Sequence, residues 1–171
     1  MNDWINQLGL QYLDHESGLY SVEHISEIEV QSNLGPSPAS NCIYYALTRD
    51  HPQNHLHWLG PDDHHILIQG GPADYFLFYP DGSLEKKTLG LNLAEDQRPI
   101  IIAPGGCGKA VRLHDSADLL LVGSVVTPAW TPNRVTFGAD QTFIDQYTEK
   151  AEWATPELLK SLIGPNWKEG S

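Results

Sequence analysis

Between Asn41 and Val126 the chain is cut into short apolar segments by turn residues at intervals of about ten. "NCIYYALT" (41–48), "NHLHWL" (54–59), "HHILIQ" (64–69) and "YFLFY" (75–79) come first. "LEKKTLG" (84–90), "RPIIIAP" (98–104), "GKAVRL" (108–113) and "DLLLVGSVV" (118–126) follow. Between them lie "GPDD", "GGPAD" and "PDGS", the last with Asp-Gly at its centre. Such dipeptides close hairpins, because they reach the positive-φ turn geometries at little steric cost. Short strands at this spacing build a sandwich or barrel; βαβ units need a helical crossover between strands. The expectation is all-β with flanking helices: a barrel of eight or so strands.

The two ends of the chain read differently. "DWINQLGL" (3–10) is expected to be a short helix, and "GLYSVEHISEIEV" (18–30) to be extended. In that piece Val22, His24 and Ser26 would share one face, and Glu23, Ile25 and Glu27 the other. "SNLGPSPASN" (32–41), with two prolines, reads as a loop. Beyond residue 138, "ADQTFIDQYTEKAEW" (139–153) and "TPELLKSLIG" (155–164) read as helices. The second has Thr155 as N-cap, Pro156 at the first helical position and Gly164 as the stop. The expectation is one domain over residues 1–171, with a barrel core over about 18–138 and a helical tail over about 139–165.

Composition narrows the function. Of 171 residues 22 are Asp or Glu and 10 are Lys or Arg, a net charge of −12 with histidine neutral. There is no cationic excess to release counterions from phosphates, so nucleic acid is not expected as a partner. An acidic surface also disfavours an anionic membrane, and no apolar run approaches the ~20 residues a spanning helix needs. "MNDWINQLGL" lacks the basic region and apolar core of a signal peptide. Cys42 and Cys107 are the two cysteines. They read as reduced, packed thiols of a cytoplasmic protein.

Chemistry concentrates in "NHLHWLGPDDHHILIQGG" (54–71), which holds four of the eight histidines. Residues two apart on a strand share a face. By that rule His55 and His57 point the same way. Asp63, His65 and Leu67 share one face of the next segment, and His64, Ile66 and Ile68 the other. If the two segments pair, His55, His57, Asp63 and His65 converge at the barrel mouth. Imidazoles with a carboxylate suit Fe, Mn, Ni or Zn. The same groups also make an oriented acid–base site. His51, in a Pro-Gln-Asn turn, and His64 are expected to be solvated.

These segments resemble the cupin barrel, a double-stranded β-helix or jelly roll. The cupin superfamily carries His-x-His, then a Glu, then a Gly in its first motif, and Pro-x-Gly-x-x-His in its second. Here His55-Leu56-His57, Asp63 and Gly70 stand for the first; Pro104, Gly106 and Lys109 stand for the second. The chain is more closely similar to a small, largely uncharacterised cupin family. Members of that family carry "LGL…EGGYF", "IYFLL", "WHR…DEIWHFHAG", "DG", a "VPAGWWQ"-like motif and "LVGC.VAPGF". Matching stretches run in order over roughly residues 8–138: "LGLQYLDHESGLY", "NCIYYALT", "LHWLGPDDHHILIQGG", "PDG", "APGGCGKAV" and "LVGSVVTPAW". His57 and Asp62 match that family's His and Asp, Glu16 and Gly18 its "EGG", and Tyr20 its aromatic residue. Asp63 replaces a Glu, His65 a Trp, Lys109 a Gln and Leu19 an aromatic residue.

The resemblance implies a cupin fold and a homodimer, but it supplies no reaction. The favoured expectation is a small-molecule isomerase, epimerase or cyclase working by general acid–base chemistry without a cofactor. His57 would be the base, Asp63 its orienter, Lys109 an electrostatic partner and Tyr20 a proton donor. His65, Glu16, Tyr45 and Trp130 would line the substrate site, Trp130 as a lid. One alternative is a metal enzyme of dioxygenase or decarboxylase type, with His55, His57 and Asp63 as ligands of a divalent metal. Another is a small-molecule binding module without turnover.

Overall fold

In the computed structural model, which describes residues 4–170, thirteen strands and three α-helices follow one another. Helix α1 (Trp4–Gln7) is short. Asp3, at the head of the helix expected there, lies outside the described residues, as do the first residues of the segment read for a signal peptide. Strands β1 (Gln11–Tyr12), β2 (Leu19–Ile25), β3 (Glu29–Ser32) and β4 (Gly35–Pro38) come next. The central run gives β5 (Asn41–Thr48), β6 (Gln53–Leu59), β7 (Asp62–Gly70), β8 (Ala73–Phe78) and β9 (Leu84–Leu89). Then come β10 (Ile100–Ala103), β11 (Gly108–Leu113), β12 (Leu119–Thr127) and β13 (Val135–Phe137). Helices α2 (Gln141–Tyr147) and α3 (Pro156–Ile163) close the chain.

Two sheets face each other. One has six strands in the order β1-β2-β5-β12-β7-β10; the other has five, β13-β6-β11-β8-β9. Every pairing within them is antiparallel. From β5 to β8 and again from β9 to β13 the chain changes sheet at each turn, as in a jelly roll, while β8 and β9 form a hairpin within one sheet. One end of the interior is apolar, built on Tyr45, Leu47, Val111, Leu120 and Val122. The outer face of the five-stranded sheet is covered by α2 and α3: Leu56, Phe76 and Phe78 pack against Phe143, Tyr147, Leu159 and Leu162. Burial of one such side chain contributes about 1.5–3 kcal/mol. The outer face of the six-stranded sheet leaves Ile66, Ile68, Ile100 and Ile102 exposed.

Helix α3 forms where expected. The Thr155 hydroxyl accepts from Leu158 N, Pro156 takes the first turn and Gly164 stops it at φ +61°. Helix α2 is shorter than its sequence suggests. Asp140 caps it by accepting from Thr142 N, and the chain leaves the helix at Thr148, ahead of Glu149 at φ +66°. "SNLGPSPASN" is not a loop throughout. β3 and β4 form a separate two-stranded ribbon, in which Pro36 and Pro38 are tolerated because β4 pairs on one side only. The alternation expected for 22–27 breaks at Glu23, which is extra in the register of β2 on β5.

A carboxylate-histidine-lysine site inside the barrel

Strand β7 is regular over its first half. Asp63, His65 and Leu67 point inward, while His64 and Ile66 point outward, as simple alternation predicts. Strand β6 is not regular. His57 lies opposite Lys109 on β11, but Asn54 lies opposite Val111, so His55 and Leu56 together face Ala110. This is a β-bulge, one extra residue that re-aims its neighbours. It corrects the expectation that His55 and His57 share a face. His57 points inward and is 1% exposed. His55 instead packs under the end of α3, its Nδ1 3.0 Å from Gln53 Nε2 and its ring against Gly164. Burial, then the nearby His57, lower its pKa.

The bulge also anchors the loop before β2. The His55 N–H donates to the Glu16 carbonyl at 2.6 Å. His15 and Ser17 flank Glu16 at φ +63° and +65°, a region that non-glycine residues seldom occupy. Gly18, at φ +85°, lets the Tyr45 ring cross it; a Cβ there would stand 2.3 Å from the phenol oxygen. That phenol donates to Ser17 O at 2.6 Å and accepts from Asn54 Nδ2 at 3.0 Å. The effect is to place the Glu16 carboxylate 3.4 Å from both His57 Nε2 and Asn54 Nδ2.

His57 thus has a settled tautomer. Its Nδ1 lies 2.8 Å from the His55 carbonyl, which can only accept, so Nδ1 carries the proton. The other nitrogen, Nε2, is buried and without a hydrogen-bond partner. The group it faces is the Glu16 carboxylate, 3.4 Å away. The partner expected for His57 was Asp63; the geometry supplies Glu16 instead.

Asp63 belongs to a second cluster. Lys109 Nζ donates to Asp63 Oδ2 and lies 3.1 Å from His65 Nε2. Ser124 Oγ donates to Asp63 Oδ1 at 2.8 Å, and His65 Nδ1 lies 2.7 Å from the Tyr75 hydroxyl. An ammonium has no acceptor, so His65 Nε2 accepts and Nδ1–H donates to Tyr75. Burial opposes charge on Asp63, but His65 and Lys109 override it and hold the carboxyl well below its usual range. Burial lowers the pKa of His65, Asp63 opposes that, and Lys109 adds to it; the net shift is downward and the ring stays neutral. Tyr45 and Tyr75 are both pushed well up, chiefly by burial, and remain neutral phenols.

His57, Asp63 and Lys109 line one narrow cleft, together with Leu59, Ala103, Pro104 and Cys107, and it is packed too closely to hold a water molecule. The turn after β10 closes it. Gly105 N donates to Asp62 Oδ1 at 2.6 Å, and Gly106 N donates to the Leu59 carbonyl at 2.7 Å. Burial raises the pKa of the Cys107 thiol there, so it is no ready nucleophile.

Of the residues read from the sequence, the structure gathers His57, Asp63, His65, Lys109, Glu16 and Tyr45. Tyr20 packs against the apolar core and makes no hydrogen bond to the network among the described residues. Trp130 is half-exposed, its backbone N–H donating to Asn41 Oδ1, and it does not line the cleft. The expected metal set of His55, His57 and Asp63 is not assembled, because His55 faces away. Among the described residues no three of His, Cys, Asp and Glu are grouped to hold a metal ion. The residues do not fit a divalent cation as they stand, since Lys109 Nζ lies where the donor atoms of Asp63 and His65 converge. Three participants were missed. Ser124 was visible as a polar break at an inward position of "LLLVGSVV", and Tyr75 as an inward position of β8. Asn54 had no local signal, since only the bulge turns it inward.

Residues 2–138 match the family model Cupin_5, described as cupin superfamily (DUF985), and the chain belongs to that family. The fold is accordingly the cupin jelly roll. The chain is 29% identical to the uncharacterised protein YML079W of Saccharomyces cerevisiae, over 96% of this chain and 79% of that one. Two solved structures share the fold. A hypothetical protein from Leishmania major superposes with a TM-score of 0.79 at 20% identity, covering 90% of this chain and 95% of its own. Protein SO0799 from Shewanella oneidensis superposes at 0.77 and 23% identity, covering 98% and 97%.

Proposed function

We propose that the protein is a small-molecule isomerase, epimerase or cyclase whose base is His57. The observation that carries this reading is the buried Nε2 of His57, which makes no hydrogen bond and faces Glu16, while Nδ1 is held by the His55 carbonyl. An imidazole with one nitrogen pinned by a carbonyl and the other without a hydrogen bond is placed to exchange a proton with a bound molecule. Glu16, 3.4 Å away, stabilises the imidazolium that results. Lys109 lines the same cleft and has three N–H donors, of which Asp63 and His65 engage two. The third serves an oxygen that gains negative charge as the proton leaves. Glu16 takes the role of orienter assigned to Asp63 from sequence, and the phenols in the network are Tyr45, on Asn54, and Tyr75, on His65.

The test follows the proton. Ketoses, lactones and polyketide-like compounds are screened for a rise in melting temperature. Those that bind are incubated with enzyme in deuterium oxide. Deuterium appearing at a carbon beside a carbonyl, lost in His57→Ala and in Lys109→Ala with the fold intact, is the expected result. Incorporation that survives both substitutions would remove His57 and Lys109 from the chemistry. One observation favours a second reading, a binding module without turnover: Lys109 is already neutralised by Asp63. Tight binding with no exchange into any bound compound would select it.

We further propose a cytoplasmic homodimer. The two cysteines are free thiols, as a reducing compartment keeps them. The outward row of Ile66, Ile68, Ile100 and Ile102 supports contact with a second copy, because an exposed apolar stripe of this kind marks an interface. No helix among the described residues is long and apolar enough to cross a membrane. A single monomeric species in sedimentation at all concentrations would remove the dimer.

A further inference from the structure

We infer that the Lys109 ammonium is the resident cation of the barrel, standing where Asp63 and His65 would otherwise hold a divalent metal ion. Three observations support this. First, Lys109 is itself buried, at 4% exposure, and two acceptors from one strand of the opposite sheet converge on its Nζ. Second, those acceptors, Asp63 Oδ2 and His65 Nε2, lie 3.2 Å apart. Two ligands on one Zn²⁺ with bonds of ~2.1 Å stand roughly 3.0–3.4 Å apart, so the pair already has the spacing of a metal site's edge. Third, the second shell is complete. Ser124 orients the carboxylate, and Tyr75 accepts from His65 Nδ1, which leaves Nε2 as the donor atom. His57 lines the same cleft, and its Nε2 makes no hydrogen bond, with Glu16 Oε2 3.4 Å away.

A metal and an ammonium cannot share these donors. The lone pairs are already used, and two cations in a buried site repel strongly. With Lys109 in place the pocket needs no metal to balance Asp63. Without Lys109 the Asp63 carboxylate and His65 Nε2 regain the lone pairs that suit Zn²⁺ or Co²⁺, in a cleft that His57 also lines. The identity of residue 109 therefore decides whether this barrel carries an organic or a metallic cation.

The experiment uses the full-length chain, treated with chelator and then freed of it. Zn²⁺ binding is measured by calorimetry, and Co²⁺ binding by its visible absorption bands, for the wild type, Lys109→Ala and Lys109→Met. The wild type is expected to take up no stoichiometric metal. Each variant is expected to bind one equivalent of Zn²⁺ at least about 100-fold more tightly, with Co²⁺ bands of a four- or five-coordinate site. Adding His65→Ala to Lys109→Ala should abolish both signals. Should neither variant fold alone, refolding with and without Zn²⁺ replaces the titration, and recovery in Zn²⁺ only is the expected result. The inference is overturned by stoichiometric metal in the wild type that depends on Asp63 and His65. It is overturned equally by folded variants that bind none, by metal uptake that ignores His65→Ala, or by no recovery of unfolded variants in Zn²⁺.

Discussion

Strands β6 and β7 each carry two histidines, and in each pair one reaches the barrel interior and one does not. On β7 the choice follows from period-two alternation, which places Asp63 and His65 inside and His64 outside. On β6 it follows from the bulge at His55 and Leu56, which sends both outward and leaves Asn54 and His57 inside. The two inward histidines then meet opposite fates. His65 is saturated, with Lys109 on one nitrogen and Tyr75 on the other. His57 spends one nitrogen on its own strand and keeps the other without a hydrogen bond, facing Glu16. A regular strand builds the satisfied, structural half of the site. The irregular one builds the half with unspent chemistry, consistent with the tendency of bulges to sit beside functional groups.

The sharpest way to break this contrast is to remove the charge at the centre of the satisfied half. Asp63→Ala leaves Lys109 buried without a counter-ion, and urea unfolding should show a loss of about 3–5 kcal/mol. A loss below about 1 kcal/mol would mean that Lys109 is not held as described. The next test compares the histidines directly. His65→Ala strips partners from both Lys109 and Tyr75 and should cost about 1–3 kcal/mol. His57→Ala gives up one hydrogen bond to a carbonyl and should cost less than His65→Ala while ending proton exchange into substrate. Equal stability losses would erase the distinction between the halves.

Acid should act on the same half. The pKa of His65 is lower in the folded chain than its ordinary 6.5, so below that value the unfolded chain binds more protons. Stability is full above about 6.5 and falls as pH drops below it. Asp63, held below its ordinary 3.8, adds a second loss beneath that value. Thermal melts from pH 8 to 4 should decline below 6.5 in the wild type and decline less in His65→Gln. A melting temperature that rises on acidification would contradict the assignment. The smallest effect is expected at His55→Ala. It removes a half-buried ring from beneath α3 and should cost about 0.5–1 kcal/mol, with proton exchange unchanged. Loss of exchange there would restore His55 to the site.

Much of the fold was legible locally. Turn dipeptides and short apolar segments located β5 through β12, and the caps of α3 were written in Thr155, Pro156 and Gly164. Alternation alone placed Asp63 and His65 inward. The prolines of 32–41 misled, because a ribbon with a free edge accepts what a sheet interior would reject. The site was legible only in part. Its residue types were all visible, but the pairing of His57 with Glu16 spans forty-one positions of sequence, 57 against 16, and nothing near either residue announces it.

By itself the sequence determined the all-β architecture, the helical tail and the identity of the ionisable groups in the barrel. These depend on turn chemistry, side-chain period and composition, which are local properties of the chain. Tertiary structure alone decided which histidines enter the interior and which partner each one keeps. A bulge exists only relative to the strand opposite it, here β11, and to the Glu16 carbonyl that takes the freed His55 N–H. Those contacts are non-local, and the His57 nitrogen left without a hydrogen bond is their consequence.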